Sequence, residues 1–302
     1  MRLSLKFNLI LIVVLIIGAG ITAYFTHQIL QQNARAEVAD RASIMMESAI
    51  SVRGYTVAEV RPLIAPNMKD TFFPQTVPAY AATQTFNKLR EKHPEYTYKE
   101  AALNPTNPRD QATGWETDII QQFRNFPDQP ELVGERITPT GASMYIARPI
   151  QIKNEACLAC HSTPDKAPNS MLKLYGDSNG FGWKHQEIIG AQIVSVPMSV
   201  PIAHANKAFQ TFIGFLIAVF IAIVIVLNVT LHLAVIKPIT QMAKVADEVS
   251  TGNMRSDEFE VKGKDEVSVL ARSFNRMRRS LQRAMKMLDN TSPGTQARPR
   301  TS

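Results

Sequence analysis

The sequence predicts an exported α+β domain bracketed by two membrane-spanning helices and followed by an all-α cytoplasmic module. Three observations carry this: two long stretches without a charged residue, the division of charge around them, and helical apolar spacing near the C-terminus. With 302 residues, 45% hydrophobic and 20% charged, the chain is too apolar for a disordered polymer and too polar for a polytopic transporter. It has only two cysteines, which excludes a disulfide-stapled secreted scaffold.

Residues 7–34 and 208–236 contain no Asp, Glu, Lys or Arg. As a helix the second stretch is roughly 43 Å long, against a hydrocarbon core of about 30 Å. Its centre, Phe212 to Leu227, is almost wholly aliphatic and aromatic, unlike an ordinary core helix. The first span, Phe7 to Phe25, follows Arg2 and Lys6 as a signal peptide would. Its apolar core is long and only a weak small-residue cleavage site lies at Ile21 to Ala23, so retention as an anchor is expected.

Charge sets the orientation. Residues 1–6 carry +2, residues 28–207 balance 18 basic against 18 acidic groups, and residues 237–302 hold 13 basic and 8 acidic groups. Basic residues beside spans favour the cytoplasm, so both termini are expected inside and the intervening domain outside. The net charge of +7 is thus a topology signal, and nucleic acid is not an expected partner. The expected segments are a cytoplasmic stub with the first span (1–27), the exported domain (28–207), the second span (208–236), a cytoplasmic helical module (237–288) and a disordered polar tail (289–302).

The sharpest chemistry in the exported part is Cys157-Leu158-Ala159-Cys160-His161. In Cys-x-x-Cys-His, two thiols form thioethers to haem vinyl groups and the adjacent imidazole ligates iron from the proximal side. A redox dithiol leaves the histidine unexplained. Zinc needs two further ligands, and no second cysteine pair exists. One covalently attached haem c is therefore expected, on Cys157 and Cys160 with His161 as axial ligand.

The opposite face of the iron is open to several readings. The exported methionines are Met45, Met46, Met68, Met144, Met171 and Met198; the other exported histidines are His27, His93, His185 and His204. Met45 and Met46, on a long helix leaving the first span, and His93, in a polar stretch before Pro94, are the candidate distal ligands. Core packing is the usual fate of such methionines and solvent that of such a histidine. A vacant sixth position, which would bind gases, fits equally well.

Local patterns describe a helical stalk and an α+β body. From His27 to about Leu63 the chain is rich in Ala, Glu, Gln and Met and reads as helix. A loop-rich region follows with Pro66, Pro74, Pro78, Pro94, Pro105 and Pro108. Strand-like runs appear at Ser143 to Pro149 and Ile188 to Val196.

Several separated motifs then carry a family resemblance: VRGYTVAEVR from Val52, FPQTVPAYAA from Phe73, YKEAALNPTNPRD from Tyr98, WETDII from Trp115, ACLACHSTPDKAP around the cysteines, YGDSNGFGW, and EIIGAQIVSVPM. Together they resemble the single-haem, PAS-like c-type haem sensor domain over most of residues 30–200. The resemblance implies a PAS-like α+β fold with Cys157, Cys160 and His161 serving the haem. Some members use a cysteine as the other axial ligand, and this chain has none to spare. Arg53, Arg61, Arg109 and Arg148 are candidate partners for haem propionates, with surface salt bridges as the alternative for each.

In the last segment, Pro238 follows the span, and Ile239, Met242, Val245, Ala246 and Val249 recur at helical spacing before Gly252. After Asp265-Glu266, a second helix shows Val267, Leu270, Phe274, Met277 and Leu281 in steps of three and four. Two short helices with such narrow seams do not bury themselves alone, so a parallel four-helix bundle from two chains is expected. The pattern resembles a HAMP linker; a generic amphipathic surface helix accounts for RMRRSLQR but not for paired seams.

The expected function is a homodimeric haem-based redox or gas sensor of the bacterial inner membrane, with its haem domain periplasmic and HAMP relaying to a separate cytoplasmic signalling protein. No nucleotide-binding or phosphoacceptor motif follows Leu281, so no enzyme activity is expected. A membrane-anchored monohaem cytochrome for periplasmic electron transfer is the alternative, and leaves the cytoplasmic seams without a use.

Overall fold

The computed structural model describes residues 3–64, 71–139, 141–253, 258–260 and 263–291. Pro66, Met68 and residues 292–302 lie outside the described residues. The chain divides into two compact units, Thr22–Phe212 and Met1–Ile21 with Ile213–Ser302.

In the Thr22–Phe212 unit, helix α1 (Leu3–Tyr55) turns Val38, Ala42, Met46 and Ala49 to one side, at steps of three and four. That stripe packs on a four-stranded antiparallel sheet of β1 (Thr97–Ala102), β2 (Leu132–Thr138), β3 (Gly141–Gln151) and β4 (Ile188–Pro197), in the order β1-β4-β3-β2. Strand alternation sorts the two faces. Met144, Ile146, Val194 and Val196 meet α1, together with Phe86 of helix α3 (Pro78–Arg90). Ala147, Ala191 and Ile193 point the other way, onto Ile119, Ile120 and Phe123 of helix α4 (Gly114–Asn125). Buried on both faces, β4 reads as the near-continuous apolar run IIGAQIVSV.

The expected strands at Ser143 to Pro149 and Ile188 to Val196 lie within β3 and β4. The proline-rich region, expected to be loop, instead holds α3 and β1. Its prolines sit where the missing N–H costs nothing: Pro74, Pro78 and Pro108 each open a helical turn.

The stalk helix runs as predicted, with one departure. It widens into a π-helical turn at Thr56–Val60 before finishing as the short helix α2 (Arg61–Ile64). Pro62 explains this: it has no N–H to give the carbonyl four residues back, and its ring would press on that carbonyl. The same device recurs before Pro238, where helix α7 (Ser199–Leu231) passes through a π-turn at His232–Ile236 into helix α8 (Lys237–Ser250).

Two helical stretches, Ser4–Ile64 and Ser199–Ser250, are long and apolar enough to cross a membrane. In the second unit, the amides of Asn8 and Asn228 bond each other reciprocally at 2.8 Å. Gly252, at φ +90°, ends α8 as predicted. Asp265 caps helix α9 (Glu266–Thr291) by accepting from the Ser268 N–H at 2.8 Å. Asn275, buried on α9, takes the Phe259 N–H and donates to the Phe259 carbonyl, which pins the connector to the helix. Met242 and Val249 are buried, whereas the seam residues Leu270 and Leu281 remain 50% and 42% exposed. An open groove of about 330 Å³ runs along the seam, lined by Val249, Phe274, Met277 and Leu281.

Candidate functional site

The cysteine pair sits on one helical turn. A 3-10 turn at Glu155–Cys157, capped by the Asn154 side chain on the Ala156 N–H, leads into helix α5 (Leu158–His161). Residues at i, i+3 and i+4 share a helical face, so Cys157, Cys160 and His161 are presented together. Both thiols are free and half-buried.

A second segment fixes the imidazole. The His161 Nδ1 lies 2.8 Å from the Gly180 carbonyl oxygen, which can only accept, so the ring proton is on Nδ1 and Nε2 is left as the free lone pair. Trp183 stacks on the ring at 4.0 Å and 13°. The loop is bound to α5 through main-chain bonds from Gly182 to Ser162 and from Trp183 to His161. From the other side, Asn104 accepts the Gly180 N–H at 3.0 Å and donates to the Phe181 carbonyl at 3.1 Å. Thr106 Oγ1 lies 3.4 Å from His161 Nδ1.

Electrostatics favour a neutral ring. Burial pushes the His161 imidazole below the usual histidine range, opposed in part by its bond to Gly180. Burial raises the Cys160 thiol, and the nearby Arg61 guanidinium opposes that shift. Two thiols and a neutral imidazole with a free Nε2 are the donor set that a covalently held haem requires, and an outer carbonyl on the other nitrogen is how metal-ligating histidines are oriented.

The candidate distal ligands have contacts of their own. Met46 is fully buried in the core beneath α1, and Met45 packs against the same cluster. His93 is exposed in the turn after α3, 3.7 Å from Glu95 and edge-on to Tyr96. Met144 and Met198 are core residues, Met171 is buried on helix α6 (Asn169–Tyr175), and His27 stands edge-on to Phe209.

Three of the four arginines have carboxylate partners: Arg53 with Glu100, Arg109 with Asp110, and Arg148 with Glu47 and Glu131. Arg61 makes no ion pair among the described residues and stands near Cys160. Sequence reasoning did not single out Asn104, Thr106, Gly180 and Trp183. They lie in the LNPTNP and SNGFGW motifs, but only the fold shows that these two loops meet at His161.

The fold and site define an α+β domain with a Cys-x-x-Cys-His box, tied covalently to apolar helices and a helical linker. The chain belongs to the Tll0287-like family, whose model matches residues 31–197, and a HAMP domain matches residues 230–283. Among solved structures, one described as the cyanobacterial haem protein Tll0287 aligns with 16% identity and a TM-score of 0.41, covering 53% of this chain and 95% of that one. No curated protein matches the chain.

Proposed function

We propose that the chain is a haem-based sensor of the bacterial inner membrane, with one haem c on Cys157 and Cys160, His161 Nε2 as proximal ligand, and no catalytic activity of its own. The carrying observation is the bond from His161 Nδ1 to the Gly180 carbonyl inside a Cys-x-x-Cys-His turn, in a chain that also contains a HAMP domain. Haem bound there supplies an iron whose charge and ligation change with redox state or with a gas. The Gly180 carbonyl makes the imidazole more basic, Trp183 holds its plane, and Arg61 is available to meet a propionate. The α+β body is read as PAS-like, periplasmic and flanked by two spans, an orientation favoured by the excess of basic residues at both ends.

Linkage to the rest of the molecule rests on helix α1. Arg53 binds Glu100 of β1, and the Tyr98 hydroxyl donates to Glu100 at 2.6 Å, which couples the stalk to the sheet. On the cytoplasmic side, the half-exposed Leu270 and Leu281 and an unfilled apolar groove support pairing with a second copy. A change in packing of that dimer, read by a separate signalling protein, is the proposed output.

The test is the cross-linking rate of a Leu270→Cys variant of the full haem-loaded chain in membranes, in ferric, ferrous and carbon monoxide-treated forms. A rate that differs several-fold between iron states is expected. A rate identical in all three contradicts the relay, and absence of any cross-link contradicts the dimer. Deleting residues 239–302 is expected to abolish a signalling phenotype, whereas an electron carrier would keep its function.

A further inference from the structure

One cleft of the Thr22–Phe212 unit has no part in the site above. It opens between α3, the outer strand β1, α4 and the β2–β3 hairpin, with a volume of about 670 Å³, and none of its walls comes from residues 157–161. Small-molecule sites run from about 300 to 1,000 Å³.

Its charges do not cancel. Lys99 is paired with Glu116 at 2.7 Å, Arg109 with Asp110 at 3.3 Å, and Glu95 faces His93 at 3.7 Å. Arg90 and Arg136 line the same cleft and have no carboxylate partner among the described residues. Arg136 is not loose: its guanidinium lies over the Trp115 ring at 4.0 Å, and Trp115 is itself edge-on to Tyr145. That stacking fixes the plane of the fork and leaves its N–H edges available, which lowers the entropy cost of gripping a planar anion.

The wall also holds an unused hydroxyl. Thr83, 7% exposed, has its Oγ1 buried without a hydrogen-bond partner. Such an orphan costs roughly 1–3 kcal/mol unless something satisfies it. Ser143, equally buried, and Ser195 add hydroxyls to the same cleft.

We propose that this cleft is a binding site for a small organic carboxylate, gripped by Arg136 and Arg90, with its body against Trp115 and Thr83 supplying a hydrogen bond. Two guanidinium forks suit a carboxylate, whose two oxygens match the bidentate geometry. The domain would then carry a ligand input separate from the haem.

Calorimetric titration of the full chain in detergent micelles tests this, with benzoate, succinate and inorganic phosphate as probes. At least one of the two organic acids is expected to bind saturably. Arg90→Gln and Arg136→Gln are each expected to weaken that binding about 10-fold or more, the effect of losing a charge-assisted bond. Thr83→Val is expected to weaken binding while raising the Tm of the ligand-free protein, because it removes a buried orphan. Arg90 is exposed, so its variant keeps the test open should Arg136→Gln not fold. Absence of binding by both acids at millimolar concentration overturns the proposal. So does phosphate binding as tightly as the acids, or unchanged binding in the Arg90→Gln variant.

Discussion

His161 donates its Nδ1 hydrogen to the carbonyl oxygen of Gly180, and Gly180 has no room for a side chain. A Cβ there would stand 2.1 Å from Thr106 Oγ1 and 2.7 Å from Thr106 Cα, and the residue adopts φ +83°. Gly180 thus lets the Asn104–Thr106 loop and the 180–183 loop close on the same histidine.

Gly180→Ala is therefore expected to cost more than backbone strain alone. Gly176 provides the control, at φ +81° with no atom within 4 Å of where a Cβ would stand. Gly176→Ala should lose roughly 1–3 kcal/mol, from conformation only. Gly180→Ala should lose more, and should also change the absorption spectrum of the haem-loaded protein. Equal losses with an unchanged spectrum would show that the loop does not position His161.

The Arg53–Glu100–Tyr98 cluster predicts a pH dependence. Burial and the neighbouring Glu100 push the Tyr98 phenol well above its ordinary value. A raised pKa contributes stability that is fully present below the unfolded value of about 10 and is lost as pH climbs beyond it. The urea midpoint should fall between pH 9 and 11 (roughly one unit either side of that value), and less steeply in Tyr98→Phe. Glu100→Gln, which leaves Arg53 without its partner, should cost roughly 2–4 kcal/mol.

Asn8 and Asn228 lie in the two apolar stretches and satisfy each other's amides. A double-mutant cycle of Asn8→Leu and Asn228→Leu in micelles should return a coupling of about 1 kcal/mol. Additive losses would mean that the pair does not form.

In the HAMP segment, burial rather than charge sets the effect. Asn275 is 6% exposed and makes both bonds to Phe259, so Asn275→Ala should cost roughly 1–3 kcal/mol. Glu258 pairs with Arg279 at 2.6 Å, but both side chains are largely exposed. Glu258→Gln should leave the thermal midpoint nearly unchanged, and a loss matching that of Asn275→Ala would reverse this ranking.

The helical turn that presents Cys157, Cys160 and His161, the two long apolar helices, the stalk helix and strands β3 and β4 were legible because each is a local pattern: a fixed spacing, a charge-free run, a helical or apolar period. Helix α3 and strand β1 were masked by prolines, which mark breaks in a sequence; here Pro78 opens α3 and Pro94 sits in the turn that precedes β1. The roles of Asn104, Gly180 and Trp183 were not legible, because they arise from two loops some 76 residues apart meeting at one imidazole. Core packing was the expected fate of Met45 and Met46 as helical methionines, with ligation the rarer alternative; the sheet beneath α1 shows Met46 filling the core. Arg136 and Thr83 showed no pattern at all, since a cleft exists only once α3, α4 and the sheet are assembled.

The most direct test of the central claim is the intact mass of the full chain, produced in cells that attach c-type haem and extracted to remove any free haem before weighing. The account predicts one haem added per chain, and none on the Cys157→Ser, Cys160→Ser double variant. A chain of unmodified mass, or haem that extraction removes, would contradict it.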